Sequence, residues 1–274
     1  MTAPQPDRGG ATDASPASDD TLRHGPDLVE PPLPVHHPSA DDGVERVLVV
    51  TAHPDDVDFG VAGSVATWVA AGMHVTYCIC TDGDAGGSDR SMSRRDMARL
   101  RQREQRAAAA AVGVHEVIFL GHPDGRLVPN LELRRDISRV IRQVRPQRVV
   151  TQSPEHNWDR MAAAHPDHRA AGEATVCAVY PDARNPFAHP ELLDDGLEPH
   201  VVQQLWLVGS SLANRFVDCT DVFDRKLAAL ASHASQVTDL DLDAILRTWM
   251  AANARAAGLP AGRLAEAFRV VDPG

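Results

Sequence analysis

The stretch Arg46–Gly60, RVLVVTAHPDDVDFG, constrains this chain more than any other. Val47, Leu48, Val49 and Val50 make a short, mostly β-branched run. A strand of that kind is buried on both faces, as in a parallel sheet covered by helices. His53, Pro54, Asp55 and Asp56 follow at once. Polar residues at the carboxyl end of a buried strand stand where open α/β sheets place their ligands. An Asp there can also cap a helix. A cap explains one Asp and leaves His53, the second carboxylate and a later cluster without a reason.

The later cluster is His165-Pro166-Asp167-His168. Two histidines three apart on a helical turn share a face. Imidazole with carboxylate is metal-ligand chemistry. A catalytic zinc takes three protein ligands and keeps a position open. His53, Asp56 and His168 can supply two imidazoles and a carboxylate. Asp55 and His165 are then left to act as acid or base beside an activated water. Asp167 reads as a cap or as a carboxylate that orients an active-site histidine. From these residues alone the expected chemistry is metal-assisted hydrolysis of an amide or ester.

The rest of the chain frames these motifs. Residues 1–43 are rich in Pro, Asp, Ser and Gly and are expected to stay disordered or extended, with 44–274 forming one domain. Helices are expected over 61–71, 93–112, 131–144, 167–179, 221–236 and 242–257. Strands are expected at 73–81, 115–120, 148–152, 203–208 and 215–219. The alternation predicts an α/β fold: a Rossmann-like, doubly wound, mostly parallel sheet with helices on both faces. The metal site then falls at the carboxyl ends of the strands. Asp84 reads as part of a solvated turn. The loop GHPDG at 121–125 echoes the first motif, but its flanking glycines favour a turn, so His122 and Asp124 are set outside the ligand set. The Pro- and Asp-rich segment 180–200 is long enough for a lid or rim.

Composition narrows the partners. The formal net charge is −11, which argues against sequence-independent nucleic-acid binding and against docking on anionic membranes. Residues 1–25 hold no apolar signal core, and no run is long enough to span a bilayer, so the default expectation is a soluble, cytoplasmic protein. The four cysteines lack Cys-x-x-Cys spacing. No oligomeric state is legible.

AHPDD at 52–56 with HPDH at 165–168 resembles the PIG-L-like superfamily, the N-acetylglucosaminyl-phosphatidylinositol de-N-acetylase-like enzymes. DGDAGG at 82–87, RQREQRAAAAAVGV before a strand, FLGHPDG at 119–125 and HASQ at 233–236 are similar to its other blocks. The resemblance implies a Rossmann-like deacetylase holding one Zn2+, with Fe2+ as the alternative, that acts on the 2-amino group of a glucosamine unit. It implies His53, Asp56 and His168 as metal ligands, Asp55 as general base and His165 as acid or oxyanion stabiliser. It further implies Asp167 as a tuner of His165 and Arg101 as a sugar contact. Many members carry Glu after the two Asp; here Val57 and then Asp58 stand there. Some carry a Tyr before the second cluster, where this chain has Ala162, Ala163 and Ala164. Help for the oxyanion would then come from Asn157, Tyr180 or His233. The expected substrate is a small molecule or a glycosylated natural product such as an antibiotic. The alternatives are a thiol-conjugate amidase of the same family and a sugar-binding module without chemistry. Against the last, Asp55 and every expected ligand are present.

Overall fold

The computed structural model describes Thr2, the backbone of Val35 and His36, and residues 43–274 apart from Ser88. The expectation for residues 1–43 therefore lies almost wholly outside the described residues. Eight strands make one sheet: β1 Val35–His36, β2 Arg46–Thr51, β3 His74–Thr81, β4 Glu116–His122, β5 Arg148–Gln152, β6 Gln204–Val208, β7 Arg215–Asp218 and β8 Ala265–Val271. Their order is β1-β7-β8-β6-β5-β2-β3-β4. The run β4-β3-β2-β5-β6 is parallel throughout, and β8 pairs antiparallel with both β6 and β7. The helices are α1 Asp56–Gly60, α2 Ala62–Ala70, α3 Arg94–Ala111, α4 Leu131–Val144, α5 Pro166–Cys177, α6 Glu191–Asp194, α7 Phe223–Ala231, α8 Ala234–Val237 and α9 Leu242–Ala256.

The chain moves outward from β2 through β3 to β4, then returns to the other side of β2 as β5. The winding reverses between β2 and β5, and such a switch point opens a crevice at the carboxyl ends of the strands. Alternation along β2 fills both faces. Val47 and Val49 enter one apolar cluster with Trp68, Val112 and Leu230, while Leu48 and Val50 enter the other with Leu133, Ile137 and Ala174.

Beneath α2 lies a buried ion pair. Lys226 Nζ donates to Glu266 Oε1 at 2.7 Å and to the carbonyls of Asp58 and Phe59 at 2.9 and 2.8 Å. The Glu266 carboxylate also accepts the amides of Gly63 and Ser64, at the positive end of α2. Removing one partner of such a pair leaves a buried charge uncompensated. Lys226→Met is expected to cost about 3 kcal/mol in denaturant unfolding. A loss below about 1 kcal/mol would mean that the α2 amides alone accommodate Glu266.

Two expectations are corrected here. The helix expected over 61–71 is α2, Ala62–Ala70, and a separate short helix, α1, precedes it across Val61, whose φ of −139° is not helical. The helix expected over 221–236 is two pieces, because the chain turns at His233 to carry its ring inward. The closing AEAFRVV, to which the sequence assigns no element, is the antiparallel strand β8. Segment 180–200 is not placed as a lid. Arg142 donates to the carbonyls of Asp182, Ala183, Asn185, Ala188 and Leu197, and Arg134 pairs with Asp182 at 2.8 Å, strapping the segment to α4.

Candidate metal and proton-transfer centre

The switch point is clasped by a side chain. Gln152, the last residue of β5, accepts the amide of Ala52 at 2.9 Å and fixes the turn that leaves β2. In that turn Asp55 takes φ +93°, a left-handed conformation. It costs a residue with a Cβ about 1–2 kcal/mol and persists only where the surroundings over-determine it. They do so here. The Asp55 amide donates to Gln105 Oε1 at 2.8 Å, and its carbonyl accepts the amides of Asp58 and Phe59 as α1 begins. Arg101 donates to the Pro54 carbonyl at 2.5 Å and to Asp55 Oδ2 at 2.9 Å.

The left-handed turn sends neighbouring carboxylates to different partners. Asp55 faces α3 and Arg101. Asp56 faces α5, with Oδ1 at 3.0 Å from His168 Nε2 and Oδ2 at 3.4 Å from His53 Nδ1. The rings of His53, His165 and His168 lie 5.1–5.2 Å apart, centroid to centroid. Burial would raise Asp56, but His168 and His53 hold its carboxyl well below the usual range. Burial raises the Asp55 carboxyl to about 6 against the pull of Arg101.

His53 is ringed by acid. Its Nε2 lies 3.2 Å from Asp124 Oδ1 and 3.2 Å from Asp167 Oδ2. Burial disfavours a proton on His53, yet Asp124, Asp167 and Asp56 together push its pKa up to about 12. A pocket that holds a proton so strongly also suits a divalent cation. One donor atom from each of His53, His165 and His168 falls within 4.8 Å of the others, and the same holds for His53, Asp124 and Asp167. Imidazole and carboxylate suit zinc or iron(II), so the residues present fit a metal.

Asp124 and Gln105 belong here although the sequence reading set the first aside and passed over the second. Asp124 leaves β4 just before Gly125, whose φ of +78° turns the chain so that its amide meets Asp167 Oδ2 at 2.7 Å. The overlooked signal is the shared edge: the β4 loop stands beside the other two motifs. Gln105 follows Arg101 by four residues and so faces the same way from α3. His122 lies apart, paired with Asp136 at 3.1 Å.

Other expected roles move. The Asp167 carboxylate addresses His53 and the amides of Gly125 and Leu127 rather than His165. His165 Nδ1 instead accepts the Asp167 amide at 3.2 Å and caps α5. Arg101, expected at the sugar, is 4 % exposed and commits its guanidinium to Pro54, Asp55 and the Gly83 carbonyl. His233 is fully buried on Asp58 at 2.8 Å; Asp58 also accepts from Gln105, so His233 supports the Asp55 turn from behind. Asn157 ties the Gly209 carbonyl to the Arg160 amide, and Tyr180 is exposed against Arg184. Asp84 is paired with Arg94 at 2.7 Å and accepts the Asp124 amide.

A histidine and carboxylate centre at the switch point of a doubly wound sheet is the arrangement of an α/β protein whose site could hold a metal ion. The chain belongs to the PIG-L family, described as GlcNAc-PI de-N-acetylase, with residues 48–179 matched. It is 34% identical over 193 residues to the diacetylchitobiose deacetylase of Thermococcus kodakarensis, covering 70% of each chain. It is 30% identical to the 1D-myo-inositol 2-acetamido-2-deoxy-alpha-D-glucopyranoside deacetylase of Kineococcus radiotolerans, over 88% of this chain and 84% of that one. The structure of N,N'-diacetylchitobiose deacetylase from Pyrococcus horikoshii with its inhibitor MPG superposes with a TM-score of 0.78 at 29% identity, over 84% of this chain and 85% of that one. Among the described residues, no helix is long and apolar enough to cross a membrane.

Proposed function

We propose that the chain is a divalent-metal amide hydrolase that removes the acetyl group from the 2-amino group of a glucosamine unit in a small glycoside. The reading is carried by the split of Asp55 from Asp56, which gives one carboxylate to the histidines and keeps the other apart on Arg101. The deacetylase relatives support the same reaction. His53, Asp56 and His168 would hold the metal. Asp167 would orient His53 from its far nitrogen, an arrangement common behind metal-binding histidines. Zinc or iron(II) bound there supplies Lewis acidity toward an amide carbonyl and a more acidic water.

The remaining roles fall to the chain itself. Asp55 takes a proton from the attacking water and returns it to the amine nitrogen as the C–N bond breaks. Acetate and free amine leave, with the elements of one water added. His165 Nδ1 is occupied in accepting an amide, so its proton sits on Nε2. That N–H donates to the oxygen on which charge develops. Arg101 and Gln105 hold Asp55 in place.

The test is metal content together with acetate release from N-acetylglucosamine glycosides, N,N'-diacetylchitobiose among them. About one equivalent of zinc or iron per chain is expected, with turnover that follows metal loading. A folded, metal-loaded protein that releases no acetate from any of them would overturn the reading.

A further inference from the structure

A cavity of about 600 Å³ adjoins the centre. Its wall includes Asp56 and His168 together with the apolar side chains of Phe59, Val208, Phe216, Leu246, Trp249 and Met250. Leu246, Phe216 and Met250 are buried side chains, so part of the wall belongs to the packed core. The volume falls within the range of pockets that enclose a drug-sized ligand. An acetyl methyl leaves nearly all of it unfilled.

Gln152, Arg160, Ser210, Ser211, Asn253, Lys226 and Glu266 also line it. The two charged groups deepest in the wall, Lys226 and Glu266, make no demand on a ligand. Lys226 Nζ has three acceptors, and Glu266 holds Lys226 and two backbone amides. A chain without polar atoms can therefore lie against them without stranding a donor or acceptor.

The position of the cavity relative to Asp55 selects which part of the substrate enters. In an N-acyl amine, the acyl chain and the nitrogen leave the carbonyl carbon on different sides. Asp55 serves the nitrogen and pairs with Arg101, and neither residue lines the cavity. Asp56 and His168 stand in the cavity wall. A carbonyl held at Asp56 and His168 would then send its acyl chain into the cavity and leave the sugar on the Asp55 side.

Resting on the deacetylase reading above, we propose that this cavity is an acyl-chain subsite. It makes the protein an N-deacylase for medium-length, unbranched fatty amides of glucosamine as well as for acetyl.

The experiment compares methyl 2-acetamido-, 2-butanamido- and 2-octanamido-2-deoxy-glucopyranosides with octyl 2-acetamido-2-deoxy-glucopyranoside, each followed by release of free amine. Each methylene added to the acyl chain is expected to raise kcat/KM roughly fourfold while it stays within the apolar wall. Calorimetric binding to Asp55→Asn is expected to favour the octanamide over the acetamide more than tenfold, a readout that needs no turnover. Ala213→Phe and Ala256→Phe, each narrowing the cavity from a wall position that is not fully buried, are expected to lower the octanamide-to-acetamide ratio at least tenfold. Acetamide cleaved faster than octanamide would overturn the subsite and leave the deacetylase reading standing. A gain seen only with the octyl glycoside would overturn it too, giving the cavity to an apolar aglycone. Failure of all four glycosides with loaded enzyme would remove both readings together.

Discussion

Asp55→Asn is expected to lower kcat about 10²–10⁴-fold, the usual share of a positioned general base, and to leave metal content and fold unchanged. The substitution is chosen for its backbone. Asn is among the few residues with a Cβ that tolerate the left-handed conformation seen at position 55. Its amide can still accept from Arg101, so the turn should hold while the proton acceptor is lost. Metal analysis and circular dichroism of the same preparation check both conditions. A loss of threefold or less would move the base elsewhere, and Asp124, beside both His53 and Arg101, is the next carboxylate to examine.

His168→Ala is expected to fail differently, losing metal and activity together. Its imidazole is the only part of α5 that meets Asp56 among the described ion pairs, at 3.0 Å. Removing even an orienting partner of a ligand costs about 10–100-fold in metal affinity, so loss of a ligand should exceed that. Half-buried at the crevice, His168 contributes little to the apolar core, and the fold should survive. Metal titration of the purified variant is the check. Stoichiometric metal bound as tightly as in the wild type would dismiss His168 as a ligand and favour the alternative grouping of His53, Asp124 and Asp167.

Local rules reached the framework well. Helix α4 and strand β5 end where expected because their signals are local: Asn130 caps α4, and Pro146 bars the helix from going further. β2 and β3 announce themselves through β-branched runs. β8 did not, because its place between β6 and β7 depends on partners far away in the chain. The His53 and His165–His168 motifs do meet, as their shared edge required. What spacing did not reveal was side-chain direction. Arg101 points inward to Asp55 because α3 packs against the β2 turn, and Asp167 reaches His53 because Gly125 brings its amide alongside. Both facts depend on distances between elements, which no motif encodes.

The left-handed turn at Asp55 has a consequence for motion. Asp55 and Asp56 are joined by one peptide unit, so their α-carbons stay about 3.8 Å apart whatever else moves. Any breathing of the crevice displaces α5, carrying His165 and His168 with it, or shifts the β4 loop with Asp124. Such movements would stretch the contacts to Asp56 and loosen the grip on a cation. They leave the spacing of the two α-carbons unchanged, so Asp55 and Asp56 reach their separate partners from one fixed step of backbone.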